Sequence, residues 1–131
     1  MLKLTTVENQ TAFEPGDDVD VVAEWQLEDV PERAEVRLVW FTRGKGDPET
    51  RIVQVQPLES PKQSDVRGCT LKLPTAPYSF SGKLISLTWA VELVLSDDQT
   101  QRVDIVMAPN GKEVVLEEVE SSSKHWLQFG S

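Results

Sequence analysis

The sequence predicts an all-β fold of two sheets packed face to face. Three observations carry that prediction. Apolar and polar residues alternate at period two in several runs, turn-forming residues separate those runs, and no run keeps an apolar stripe at helical spacing. Strands place successive side chains on opposite faces, so strict alternation marks a segment with one dry face and one wet face.

Leu2–Val7 is the first candidate strand. From Asp18 to Glu28 the odd positions are Val19, Val21, Ala23, Trp25 and Leu27, and the even ones are polar except Val22. The next run alternates on even positions with Ala34, Val36, Leu38 and Trp40, while Val39 and Phe41 make its second face apolar as well. Between Ile85 and Leu95 every odd position is apolar: Ile85, Leu87, Trp89, Val91, Leu93 and Leu95. A helix there would place Ser86, Thr88 and Glu92 within its apolar stripe. At strand rise the run spans about 36 Å, long but ordinary for a sandwich. Ile52–Leu58, Cys69–Leu73, Arg102–Ala108 and Glu113–Val119 complete the set. Glu28 to Glu35 contains Pro31 and reads as a connecting loop.

The separators have the chemistry of turns. They are Glu14-Pro15-Gly16-Asp17, Gly44 to Pro48, Pro74 to Pro77, Ser96-Asp97-Asp98 and Pro109-Asn110-Gly111. Glycine supplies positive φ, proline presets φ, and Asp or Asn hydrogen-bonds its own backbone. The Asn110-Gly111 pair predicts a tight hairpin. The Gly44-Lys45-Gly46 segment lacks phosphate-loop spacing and a following helix, so it also reads as a hairpin turn.

Two of these segments, taken in order, resemble the arrestin-like superfamily. The first is Phe13-Glu14-Pro15-Gly16-Asp17-Asp18-Val19, which is similar to that family's aromatic-x-Pro-Gly entry into a long early strand. The second is Leu71-Lys72-Leu73-Pro74 followed by Pro77-Tyr78-Ser79-Phe80-Ser81-Gly82-Lys83-Leu84-Ile85-Ser86. It resembles the family's strand, proline-rich crossover, Ser-x-x-Gly turn and long strand. The resemblance covers roughly residues 13–119 and extends to bacterial sandwich proteins of the sporulation-control type. It implies an immunoglobulin-like (arrestin-like) two-sheet β-sandwich used for protein contact. Arrestins have two such lobes with a charged core between them, and this sequence has room for one. Receptor and phosphate-sensing roles therefore do not transfer. On this reading residues 1–120 form a single sandwich domain and residues 121–131 a flexible C-terminal tail on which Trp126, Leu127 and Phe129 offer a docking segment.

The 131 residues suit one domain, and an apolar share of 39% with 27% charged is ordinary for a globular core. A formal charge of −9 without a Lys/Arg cluster argues against nucleic acid and against an anionic membrane surface. The apolar runs are too short to span a bilayer, and Met1-Leu2-Lys3-Leu4-Thr5 lacks a signal-peptide pattern. One cysteine, Cys69, allows no intrachain disulfide. Together these predict a cytoplasmic protein with no membrane insertion.

The chemistry searched for is sparse, and no catalytic, metal or cofactor residue is assigned. His125 is the only histidine and falls in the tail, where a nucleophile's base would not be held rigidly. Asp17, Asp18 and Asp20 at a strand entry, and Asp97-Asp98 in a turn, lack a calcium-loop spacing and read as turn and strand-end acids. With 22 acidic residues, an apparent pair of glycosidase carboxylates carries no weight. Trp25, Trp40 and Trp89 lie on the apolar registers of their strands, which favours packing between the sheets over a sugar-stacking platform. Cys69 shares its register with Leu71 and Leu73 and reads as an inert core thiol.

The leading functional reading is a non-catalytic interaction or scaffold domain, not an enzyme, with an unidentified protein partner. A homodimer through an exposed strand edge is one mode available to it. Val22, Val39 and Phe41 interrupt the polar outer faces and mark either an apolar docking patch or a surface covered by a loop or the tail. The alternative is a carbohydrate- or small-ligand-binding module, for which Tyr78, Phe80 and Trp126 are the aromatics free of evident core duty.

Overall fold

A computed structural model describes residues 1–82, 84–111 and 114–115. Its strands are β1 (Leu2–Thr6), β2 (Ala12–Phe13), β3 (Asp18–Gln26), β4 (Glu35–Gly44), β5 (Thr50–Pro57), β6 (Ser64–Lys72), β7 (Phe80–Ser81), β8 (Ile85–Ser96), β9 (Gln99–Met107) and β10 (Val114–Val115). Two single 3-10 turns, Val7–Asn9 and Pro109–Gly111, are the only helical elements among the described residues.

The strands form two sheets. The smaller has the order β1-β3-β6 and is antiparallel throughout. The larger is built on β5-β4-β8. Because β4 occupies one edge of β8, strands β9 and β7 share the other, β9 along Trp89–Ser96 and β7 at Ser86–Leu87. Short parallel additions, β2 on β9 and β10 on β7, complete it.

The alternating runs supply the core between the sheets. From β3 come Val19, Val21, Ala23 and Trp25, and from β8 come Leu87, Trp89, Val91, Leu93 and Leu95, all buried. Val36 and Leu38 of β4, Leu71 of β6 and Ile105 and Met107 of β9 fill the layer. Both fully buried tryptophans donate their indole N–H to a loop carbonyl. Trp25 Nε1 reaches Lys62 O at 2.8 Å, and Trp89 Nε1 reaches Pro77 O at 2.8 Å. Each ring therefore buries a large apolar area and also pins a crossover between the sheets.

The two segments that carry the family resemblance meet in space. The Glu14-Pro15-Gly16-Asp17 turn closes through Asp17 N to Glu14 O at 3.1 Å, with Gly16 at φ +84°, a conformation glycine adopts without strain. Gly16 N then donates to Pro74 O at 3.2 Å, and Leu73 N donates to Asp17 O at 2.9 Å. Beyond Pro77, buried Ser79 exchanges two bonds with Met107, N to O at 2.8 Å and Met107 N to Oγ at 3.0 Å.

Some expectations change. Strand β6 begins five residues before Cys69, because Ser64–Gly68 pair fully with β3 although they bury little. The Asn110-Gly111 pair does not make a two-residue hairpin. It lies in a 3-10 turn with Asn110 at φ +62°, and the chain continues parallel to β7. The reason is that both edges of β9 are already taken, by β8 and by β2. Of the expected strand Glu113–Val119, only Val114 and Val115 are described. The proposed tail, with His125, Trp126, Leu127 and Phe129, lies outside the described residues.

Candidate interaction surface

The chemistry singled out from the sequence is largely absorbed by the scaffold. Asp17 Oδ2 accepts from Glu14 N at 2.9 Å, capping its own turn, and Asp20 Oδ1 accepts from the Thr70 hydroxyl at 2.6 Å. Asp97 pairs with Arg33 at 3.5 Å on the rim of an open groove lined also by Glu28, Asp29 and Glu32. Among the described residues no three metal-ligating side chains converge. Gly44 ends β4 at φ +130° and opens the hairpin to β5. A Cβ at Gly44 would overlap the Leu84 carbonyl oxygen, which accepts from Lys45 N at 2.7 Å. The turn thus belongs to sheet closure, with no free cradle. Cys69 is half-buried and faces inward, and burial raises its thiol pKa.

The aromatic residues separate into three kinds. Trp25 and Trp89 are interior. Trp40 departs from expectation: it packs against the core only from its margin, half-buried, with the Arg51 guanidinium 5.9 Å from its ring centroid. Phe80 also rests against the core, which leaves Tyr78, 42% exposed, without a second exposed aromatic among the described residues. Trp126, the third aromatic of the sugar-binding alternative, lies outside the described residues.

The outer face of the large sheet carries a second apolar cluster. Val39, Phe41 and Ala90 are buried there, apart from the main core, so the apolar patch expected at Val39 and Phe41 is not itself open. Arg43 and Arg102 place their guanidinium groups 4.9 and 4.7 Å from the Phe41 ring centroid, a stabilising cation–π arrangement. Strand β5 borders this cluster, and the apolar exposure lies on that strand.

Directly paired residues of adjacent strands share a face. Ile52 pairs with Val39, Thr50 with Phe41 and Val55 with Arg37, so all three face outward. Arg51 pairs with Trp40, Gln54 with Leu38 and Gln56 with Val36, so these face the inner side. The polarity of β5 is therefore reversed relative to an ordinary covering strand: polar residues lie inward and aliphatic ones outward. A bulge sets this arrangement, because Gln54 and Ile52 pair with the adjacent residues Leu38 and Val39, leaving Val53 as the extra residue. Ile52, Val53 and Val55 are 49%, 40% and 45% exposed, and Thr50–Pro57 contains no carboxylate. The residues of Ile52–Leu58 mark a strand without revealing this reversal. Its only trace was the break in alternation at Ile52-Val53.

The neighbouring edge, β6, is guarded. Its inward register carries Asp65 and Arg67, paired at 3.0 Å, and the Lys72 N–H donates to Gln54 Oε1 at 3.3 Å. The hydrogen bond from Arg67 holds the Asp65 carboxyl below its usual pKa against the opposing effect of burial. The N–H groups of Lys62 and Val66 assist at 3.2 and 3.0 Å. Inward charges and capped edge groups both discourage addition of a strand.

No family model and no curated protein matches the sequence. Solved structures do match by shape. The sporulation control protein Spo0M from Bacillus subtilis superimposes with a TM-score of 0.58 at 11% identity, over 82% of this chain and 49% of that one. A β-glucosidase from Listeria innocua, in complex with gluconolactone, aligns with a TM-score of 0.46 at 10% identity, over 87% of this chain and 16% of that one. The chain thus spans about half the length of the Spo0M structure. Two packed, mostly antiparallel sheets and the match to Spo0M together show that this chain has the arrestin-like β-sandwich fold.

Proposed function

We propose that the chain is a non-catalytic protein-interaction domain whose contact surface is the β5 edge and the outer face beside it. One observation carries this reading: an eight-residue terminal strand exposes Ile52, Val53 and Val55 and bears no carboxylate in a molecule of charge −9. An open edge of this kind offers unpaired backbone groups to a partner strand, with side-chain contacts supplying selectivity. The likeness to a sporulation control protein supports a regulatory role over an enzymatic one. Protein partners, a bacterial cytoplasmic setting and a folded unit of residues 1–120 followed by a tail belong to the same proposal. No helix among the described residues is long and apolar enough to cross a membrane, which accords with the absence of membrane insertion in this reading.

The test is paired affinity capture from lysate of the native cell, with wild type and Ile52→Lys/Val55→Lys as baits. The reading expects specific proteins held by wild type and lost by the variant, with both baits equally folded by circular dichroism. Identical captures would remove β5 as the contact surface.

A further inference from the structure

We propose that the chain's own C-terminal segment, from Leu116 onward, docks on the outer face of the large sheet and sets its glutamates against Arg43 and Arg102. The inference goes beyond the preceding reading and does not depend on it, since it concerns β4 and β9 rather than the β5 edge.

The face suits an acidic occupant. Its centre is apolar, with Val39, Phe41 and Ala90 buried, and two guanidinium groups flank the Phe41 ring at 4.9 and 4.7 Å. Arg43 forms no salt bridge among the described residues, and Arg102 forms one, to Asp104 at 3.0 Å. A guanidinium offers five N–H donors, so both arginines keep capacity for a further carboxylate. The described strands all belong to the two sheets, and the second sheet packs on the inner side, so no described strand covers this face.

The register brings the chain's continuation to this place. Val115 pairs with Ser81, Ser81 with Ser86, and Ser86 with Arg43, so the four residues form one row across β10, β7, β8 and β4. Three strand spacings, about 14 Å, separate Val115 from Arg43. Residues 116–131 lie outside the described residues and begin Leu116-Glu117-Glu118-Val119-Glu120. Five extended residues reach about 16 Å, enough to bring this group of carboxylates to the arginines beside Phe41. Leu116–Glu120 contains three carboxylates and no cation, in a chain where the site it meets is cationic. Tethering favours this occupant over a free acidic partner, because a short linker holds the segment at an effective concentration of about millimolar.

Glutamyl endopeptidase reads the contact in the full chain, with mass spectrometry following cleavage after Glu117, Glu118 and Glu120. At low salt, Arg43→Gln/Arg102→Gln should be cut about threefold or more faster than wild type, with unchanged circular dichroism. Arg43→Lys/Arg102→Lys keeps the charges and should stay close to wild type. In about 1 M salt the three chains should converge, since exposed ion pairs are then screened. Equal rates for wild type and the Gln variant at low salt overturn the proposal. A Lys variant cut as fast as the Gln variant does so too, because the cover over Phe41 rather than its charge would then matter. Protection that grows with protein concentration would place the segment on a second copy and overturn docking within one chain.

The same contact is read from the other side with the sandwich left intact. Trypsin should cut after Lys124 faster in Glu117→Gln/Glu118→Gln/Glu120→Gln than in wild type, and equal rates would again overturn the docking. Loss of captured proteins on β5 substitution tests the preceding reading alone and leaves this one untouched.

Discussion

Strands β5 and β6 follow one another in sequence, lie at the same side of the sandwich and end different sheets, yet they solve the edge problem in opposite ways. Strand β6 turns Leu71 into the core and fills its remaining inward positions with Cys69 and a paired Arg67 and Asp65. Strand β5 turns arginine and glutamine inward and aliphatics outward. One edge is therefore a wall of the core, and the other is an extension beyond it. The contrast shows how a bulge can move a strand's apolar face from the interior to the surface without changing its composition.

The largest effect should come from the hairpin that delivers β5. Gly44→Ala places a methyl group on the Leu84 carbonyl at a φ that L-residues avoid. We expect a chain that fails to reach a cooperative thermal transition, and an unperturbed melt would disprove the close approach.

Next comes the wall strand. Leu71→Ala empties a fully buried site and should cost about 2–5 kcal/mol by urea denaturation. A loss below about 1 kcal/mol would show that β6 is not part of the core wall.

Trp25→Phe keeps most of the ring but leaves the Lys62 carbonyl without its donor. We expect a loss of about 1–3 kcal/mol, read from the shift in denaturation midpoint.

A smaller effect concerns pH. The folded pKa of Asp65 lies below its ordinary value, so the ionised carboxylate contributes stability above that ordinary value and loses it as pH falls through the folded pKa. The difference in melting temperature between wild type and Asp65→Asn should be full at neutral pH and close in acid. A gap independent of pH would show that the pair with Arg67 is not its source.

The smallest effect sharpens the comparison. Val55→Ala on β5 should change stability by no more than about 0.5 kcal/mol, since the side chain is 45% exposed in the isolated chain. A large loss at low protein concentration would mean that β5 is a wall after all.

Much of this was legible in the residues. The odd positions of Asp18–Glu28 and Ile85–Leu95 marked buried faces, and the Pro-Gly and Ser-x-x-Gly segments marked the joints between them. The first five residues of β6 were not legible, because Ser64–Gly68 pair by backbone and bury almost no apolar surface. Trp40 and Phe41 were legible as apolar but not as arginine-covered, since strand pairing decides which guanidinium groups reach each ring, Arg51 of β5 for Trp40 and Arg43 of β4 with Arg102 of β9 for Phe41. The candidate surface was hidden for the same reason: Ile52, Val53 and Val55 look like any short apolar strand.

The sequence by itself determined that this protein is a sandwich of alternating strands, where its main turns fall, and that it has one histidine and one cysteine. Period-two alternation states that a strand's two faces differ. It does not state which face meets the second sheet. That assignment belongs to pairing, and pairing between β4 and β5 slips by one residue at Val53. Only the tertiary structure decided that Ile52 and Val55 would face outward, because a side chain's direction in a sheet is set by its register with the neighbouring strand.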